Sequence, residues 1–258
     1  MIPNDIIFIW CSPGDQKKKI PQDIFDKWYR LNPSFNIKIF KDKEINKFFD
    51  DYYDSTYLKF FNEISEGKFK ADFFRYCYLY KKGGYYIDID TEPLLPIKDV
   101  LNKNCDFFTV VSLTNGHIAQ GLLFSIPQNI IIKECIDSMM NYGSNFNVNG
   151  MSEYYYPTKT LYRILNKNLE CSIKPGFFYF NNMNIQLGEE VLSDKLFFKK
   201  IYRIGRRESV KINSKIFCYQ RYLNYRNDSF ESFYSFKELI FVFFIFFCFI
   251  LTLFIIIF

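Results

Sequence analysis

Residues 70–90 read Lys-Ala-Asp-Phe-Phe-Arg-Tyr-Cys-Tyr-Leu-Tyr-Lys-Lys-Gly-Gly-Tyr-Tyr-Ile-Asp-Ile-Asp, and the fold turns on how this stretch is divided. Apolar positions 69, 73, 76 and 80 recur at helical spacing and predict a helix over 69–82. Gly83–Gly84 follows directly, the pattern of a helix C-cap and a reversal of the chain. Tyr85–Asp90 then reads as a strand, with Tyr85, Ile87 and Ile89 on one face and Tyr86, Asp88 and Asp90 on the other. Two carboxylates about 6.6 Å apart along one face can converge on a single cation. In the helix, Asp72 and Arg75 are i, i+3 neighbours on one face, and the Gly-Gly reversal brings that face back to the strand end. An acid pair, a further acid and an arginine would then line one crevice at the carboxyl ends of strands, where open α/β sheets bind ligands. The plainer alternatives are a helix-surface ion pair for Asp72 and Arg75, and a surface turn for the Asp-X-Asp pair.

Outward from this stretch, strand-like and helix-like segments alternate. Residues 6–10, 36–40, 107–113 and 122–126 read as strands, and 43–53, 129–141 and 158–166 as helices. Residues 141–150, rich in Asn and Gly, read as a loop. The alternation predicts an α/β domain with a mostly parallel central sheet covered on both faces.

Composition narrows the chemistry. The 258 residues, 49% hydrophobic and 21% aromatic, allow one sizeable domain with a packed core. A net charge of +5 spread along the chain, with Lys17–Lys19 the densest run, gives no footprint of a nucleic-acid partner. His117 is the only histidine, which removes a His-rich zinc site and leaves any His-dependent triad to this one residue. Seven widely spaced cysteines without a CxxC read as free thiols in a reducing compartment. The work falls to carboxylates, arginine and tyrosine. Sugar transfer from a diphosphate donor suits them, because Mn²⁺ or Mg²⁺ on oxygen ligands neutralises the leaving diphosphate. Asp90 is then the direct metal contact, Asp88 contacts metal or ribose, and Asp72 with Arg75 can hold sugar hydroxyls and stabilise developing charge.

The two ends of the chain differ. Residues 1–10 lack the pattern of a signal peptide. Leu239–Phe258 contains no charge, Pro or Gly, and twenty helical residues span about 30 Å, one hydrocarbon core. A domain over 1–236 and a C-terminal transmembrane anchor over 237–258 are therefore expected. Arg221, Arg226 and Lys237 ahead of the tail suit a single-pass anchor with a cytosolic catalytic domain.

The wider spacing resembles a known family. Ala71, Asp72, Arg75, Tyr76, Leu79, Tyr80, Gly83, Gly84, Tyr86, Asp88 and Asp90 stand as in the sugar-binding region of glycosyltransferase family 32. That family includes initiating α-1,6-mannosyltransferases and inositol-phosphoceramide mannosyltransferases. Ile2-Pro3, Ile9-Trp10, Trp28 and Asn32–Pro33 look like the family's opening segments, and Ser125–Pro127 and Pro157–Thr158 like degenerate later ones. The resemblance implies a GT-A type, Rossmann-like nucleotide-sugar-binding domain. The implied reaction is transfer of a hexose from a UDP- or GDP-sugar, with retention, to a glycan, lipid or protein acceptor. It implies that Trp10 flanks the nucleotide base, that Asp72 and Arg75 hold the donor sugar, and that Asp88 and Asp90 hold ribose and metal. Tyr86 is expected among the substrate-binding residues. Two departures stand out: Ile7–Phe8 replaces the family's His-Gln, and Tyr219-Gln220-Arg221-Tyr222 stands where the family closes with a His and a Ser-Trp.

Two other functions use the same residues. One is a catalytically inactive, membrane-tethered sugar-binding module. The other is an aspartate-dependent phosphatase with Asp88 as nucleophile, but Thr91 directly follows Asp90 and the Asp-X-Asp-X-Thr pattern is missed by one residue.

Overall fold

The first strand shows how the sheet is built. β1 (Asp5–Trp10) is an uninterrupted apolar run, and Ile7 and Ile9 enter one core cluster while Ile6 and Phe8 enter another. Burial of both faces marks a strand inside a layered α/β domain. The computed structural model describes residues 1–11, 22–144, 155–193 and 207–220. The chain divides into two units, Met1–Gln220 and Arg221–Phe258, and all described residues belong to the first.

After β1 come α1 (Gln22–Leu31), β2 (Asn36–Lys41), α2 (Asp42–Tyr52), α3 (Ser55–Glu63) and α4 (Gly67–Lys82). β3 (Gly84–Ile87), β4 (Thr91–Pro93), β5 (Phe107–Val111) and β6 (Ile118–Ser125) follow. The remainder is α5 (Ile130–Tyr142), α6 (Tyr156–Leu169), β7 (Gly176–Phe180), β8 (Met183–Ser193), β9 (Arg207–Ile212) and β10 (Lys215–Gln220). The strands form one sheet in the order β2-β1-β3-β6-β5-β8-β9-β10-β4, with β7 paired to β8.

The expectation of a mostly parallel, Rossmann-like sheet is corrected. β1 runs parallel to β2 and to β3, and β5 parallel to β8, but the other six of the nine pairings among the described residues are antiparallel. The cause lies in the connections. Asn181–Asn182 and Asn213–Ser214 both sit at positive φ (48° and 59°, 48° and 67°) and close two-residue hairpins between β7 and β8 and between β9 and β10. The link from β5 to β6 is likewise too short for a parallel crossover, which needs about a dozen residues or more.

α4 ends as its sequence dictates. Gly83 takes φ 68° and its N–H bonds the Leu79 carbonyl at 2.9 Å. A Cβ on Gly83 would lie 2.8 Å from Pro127 and from the Ser125 carbonyl, and one on Gly84 (φ 112°) 2.7 Å from the Asp5 carbonyl. Both glycines are therefore fixed by space as well as by dihedral. On its core side α4 buries Phe69, Phe73, Phe74, Cys77 and Leu79 in one cluster, where Phe73 and Phe74 meet the α2 and α3 aromatics and Phe49 stacks on Phe73 at 6.0 Å.

The expected membrane anchor is also corrected. Among the described residues no helix is long and apolar enough to cross a membrane, and the segment 237–258 lies outside them. The transmembrane helix, the membrane partner and the single-pass localisation therefore have no support in the structure.

Candidate functional site

β1 and β3 are adjacent and parallel, so their carboxyl ends share one edge of the sheet. Trp10 closes β1 there, and the next residue, Cys11, lies within the electrostatic reach of Lys70 and Arg75. Burial, with Asp42 nearby, pushes the Cys11 thiol up to about 12.

Arg75 is the hub. It projects from α4 with only 6% of its surface exposed. One terminal nitrogen lies 2.8 Å from an Asp72 oxygen and 3.7 Å from Asp88 Oδ1. The other donates to the Gln120 carbonyl at 2.8 Å, and Nε donates to the Ala71 carbonyl at 3.3 Å. The guanidinium plane sits 4.1 Å from the Tyr86 ring centroid. Tyr86, itself buried, donates its hydroxyl to Asp88 Oδ1. The structure thus joins Asp72, Arg75, Tyr86 and Asp88 through direct contacts, and the Asp72–Arg75 pair is an almost buried link rather than a surface ion pair.

The electrostatics follow from burial and close opposite charge. Desolvation pulls the Arg75 pKa down, but Tyr86, Asp72 and Asp88 outweigh it and the net direction is upward. Desolvation pushes the Asp72 carboxyl up to about 6, with Arg75 opposing and Asp88 adding to the rise. Burial likewise holds the Tyr86 phenol well above its ordinary range, so it stays a donor.

Asp88 and Asp90 do not share a strand face, which is a second correction to the geometry. β3 stops at Ile87. Asp88 still bonds through its N–H to the Gly121 carbonyl at 2.8 Å, and then the Thr91 N–H reaches back to the Asp88 carbonyl at 3.0 Å. Residues 88–91 are therefore a β-turn that carries the chain out of the sheet. Both carboxylates project from that turn and both residues are partly exposed.

Gly121, which the sequence did not single out, and Gln220, which entered only within the departure from the family's closing segment, complete the surroundings. Where β5 pairs with β6, two residue steps from Phe108 to Val110 span five from Phe124 to Ala119. The Gln120 carbonyl, inside this bulge, accepts from Arg75, and the Gly121 carbonyl accepts the Asp88 N–H as the next rung of the β3–β6 ladder. A Cβ on Gly121 would lie 3.0 Å from Asp88 Oδ2 and 3.6 Å from Gln220 Nε2, so the missing side chain is the seat of the carboxylate. Gln220, at the end of β10, is buried, and its Oε1 finds no hydrogen-bond partner among the described residues. An isolated glycine inside a strand is the one sequence signal that pointed here. Neither His117 nor the Gln120 side chain joins the acid turn. Each reaches the start of α6 instead, His117 to Thr158 at 3.0 Å and Gln120 to the Pro157 carbonyl.

Comparison with known proteins bears on the same residues. Residues 20–108 match the family described as glycosyltransferase sugar-binding region containing DXD motif. HOC1 of Saccharomyces cerevisiae is 34% identical over 93 residues, 35% of this chain and 24% of that protein. The initiation-specific alpha-1,6-mannosyltransferase of Candida albicans is 28% identical over 107 residues, 40% of this chain and 28% of that protein. The uncharacterized glycosyltransferase L373 of Acanthamoeba polyphaga mimivirus is 26% identical over 141 residues, 54% of this chain and 56% of that protein. The chain thus spans from about a quarter to just over half the length of these relatives. Among solved structures, PaToxG glycosyltransferase aligns with a TM-score of 0.48 at 15% identity, covering 66% of this chain and 70% of that one. The stretch that holds Asp72, Arg75, Asp88 and Asp90 is a DXD-type glycosyltransferase sugar-binding region, and through it the chain is related to the α-1,6-mannosyltransferases.

Proposed function

We propose that the chain transfers a hexose from a UDP- or GDP-sugar to a glycan, lipid or protein acceptor with the help of Mn²⁺ or Mg²⁺. The observation that carries this is the buried Arg75 network, which ties the acid of α4 to the first acid of the turn. Such a fixed cation beside carboxylates suits recognition of a sugar diphosphate, whose hydroxyls and phosphates need both signs of charge.

The residues fit a hard divalent cation. Asp88 Oδ1 is engaged by Tyr86 and faces Arg75, which leaves Oδ2, lying over Gly121, for an outside partner. The Gln220 carboxamide, whose Nε2 borders Gly121 and whose Oε1 is buried without a partner among the described residues, offers a further oxygen, and Asp90 follows in the same turn. Among the described residues no cluster of three or more His, Cys, Asp or Glu could hold a metal. The donor set would then be two carboxylates with a carboxamide, all oxygen, and the other positions would fall to water and phosphate, as Mg²⁺ and Mn²⁺ sites commonly allow. When bound, the cation would neutralise charge on the leaving diphosphate.

This chain's own residues do the rest. Tyr86 is a positioning residue: its hydroxyl and its ring fix Asp88 and Arg75. Asp72, still partly open to solvent, accepts hydrogen bonds from donor-sugar hydroxyls. Arg75 supplies positive charge that needs no reorganisation as the glycosidic bond breaks. Trp10, at the same sheet edge, flanks the base.

The test is turnover of a panel of UDP- and GDP-sugars by the full chain, with Mn²⁺, Mg²⁺ or EDTA. Release of UDP or GDP that needs metal and is abolished by Asp90→Asn supports the proposal. A protein that binds these donors without releasing nucleotide under any condition is a sugar-binding module, and the proposal fails.

A further inference from the structure

We infer that Trp28 is a positioning residue for the acid turn, holding residues 88–91 in shape through the carbonyl of Thr91; the inference rests on the metal-binding function proposed for that turn. Three side chains of α1 and its exit reach across more than sixty residues of sequence to the far side of the turn. The Trp28 indole N–H donates to the Thr91 carbonyl at 2.8 Å. Lys27 pairs with Glu92, a buried carboxylate. Asn32 accepts from the Ile97 N–H at 3.0 Å and donates to the carbonyl of Trp28 itself at 3.1 Å.

The turn needs this support. β3 is third in the sheet order and β4 last, so the chain leaves the sheet at Asp88 and re-enters at the opposite edge. β4 is three residues long and, among the described residues, pairs only with β10. Entry to the turn is held by β6 through the Asp88–Gly121 bond. Exit is held by β10 and by the indole. Trp28 is itself immobile: fully buried, edge-on to Phe8 at 6.5 Å and to Phe217 at 5.8 Å. A donor locked in a core cluster transmits the rigidity of that core to the backbone that carries two carboxylates, and fixed carboxylates bind an ion without first being ordered.

Trp28→Phe keeps an aromatic ring in the pocket and removes the donor. Two readouts are taken on the full chain well below its melting transition: amide exchange across residues 88–92, and Mn²⁺ affinity from the paramagnetic resonance of free Mn²⁺. Loss of one buried hydrogen bond predicts exchange at 88–92 about tenfold faster, with β1 and β5 unchanged, and a Mn²⁺ Kd raised about five- to tenfold. A variant that melts lower yet keeps the parent's exchange at 88–92 and its Mn²⁺ affinity overturns the inference. If the parent binds no Mn²⁺, the metal proposal fails and the exchange result alone decides the role of Trp28. Glu92→Gln weakens the neighbouring link without emptying the core. It is expected to shift exchange the same way by a smaller factor, and unchanged exchange there, should Trp28→Phe not fold, also overturns the inference.

Discussion

Arg75→Met deletes the guanidinium but keeps an apolar stem of similar length. Three acceptors lose a donor at once, the Asp72 carboxylate and the Gln120 and Ala71 carbonyls, and Asp88 Oδ1 loses the positive charge 3.7 Å away. Breaking a buried ion pair from one side costs about 3–5 kcal/mol. The lower end applies, because Asp72, already raised to about 6, can relieve itself by taking up a proton. At about 2–4 °C per kcal/mol for a chain of this size, about 3 kcal/mol lowers the melting temperature by about 6–12 °C. Thermal denaturation of the full chain followed by circular dichroism, at pH 8 in EDTA, isolates this effect from metal binding. The deficit should shrink as pH falls below 6, since a protonated Asp72 no longer needs the cation. Arg75→Lys should recover part of it, because an ammonium keeps the charge but cannot reach Asp72 and the Gln120 carbonyl in a planar fork. Melting of Arg75→Met within about 2 °C of the parent, equivalent to under about 1 kcal/mol, would refute the hub.

Three further outcomes follow from the same geometry. Gly121→Ala puts a methyl 3.0 Å from Asp88 Oδ2, so Mn²⁺ affinity and turnover should fall at least about tenfold while stability drops by only about 1–2 kcal/mol; isothermal titration and calorimetric melting separate the two. The Asp72 carboxyl is raised by burial to about 6 from an ordinary 3.8. Its protonated form is thus favoured in the folded state, and the stability this gives is complete below pH 4 and lost as pH rises through 6. Turnover needs the ionised form, so kcat/KM should decline below pH 6, and Asp72→Asn should be nearly inactive with that acid limb flattened. Asn182→Val forces a β-branched residue to φ 59° in the β7–β8 hairpin and should cost about 1–2 kcal/mol in urea denaturation without altering donor turnover.

The sequence was most informative where local pattern and tertiary structure agree. The helix before Gly83–Gly84 and the glycine stop were legible because each is a local rule: apolar spacing on α4, and positive φ at both glycines. The chain reversal predicts that Asp72 and Arg75 meet the Asp88–Asp90 pair, and the contacts of Arg75 realise this for Asp88. The strand ends three residues before its pattern does, since Ile-Asp-Ile-Asp alternates like a strand while its hydrogen bonds close a turn. Alternation of helix and strand early in the chain points to a parallel sheet, while the hairpin dipeptides Asn181–Asn182 and Asn213–Ser214 turn later strands antiparallel. Apart from Gly121, an isolated glycine inside a strand, this part of β6 carries no legible signal, because it serves the site through two backbone carbonyls, Gln120 and Gly121, and carbonyls carry no side-chain signature. Nor could the role of the Trp28 indole be read from sequence, because its partner is another backbone carbonyl more than sixty residues away.

Binding of GDP and UDP to the full chain by titration calorimetry, with and without Mn²⁺, tests the central claim most directly. One nucleoside diphosphate should bind in a Mn²⁺-dependent manner, and Asp88→Asn and Asp90→Asn should each remove that dependence while the protein stays folded. Equal affinity in Mn²⁺ and in EDTA, or full binding by both aspartate variants, would contradict a cation held at this turn.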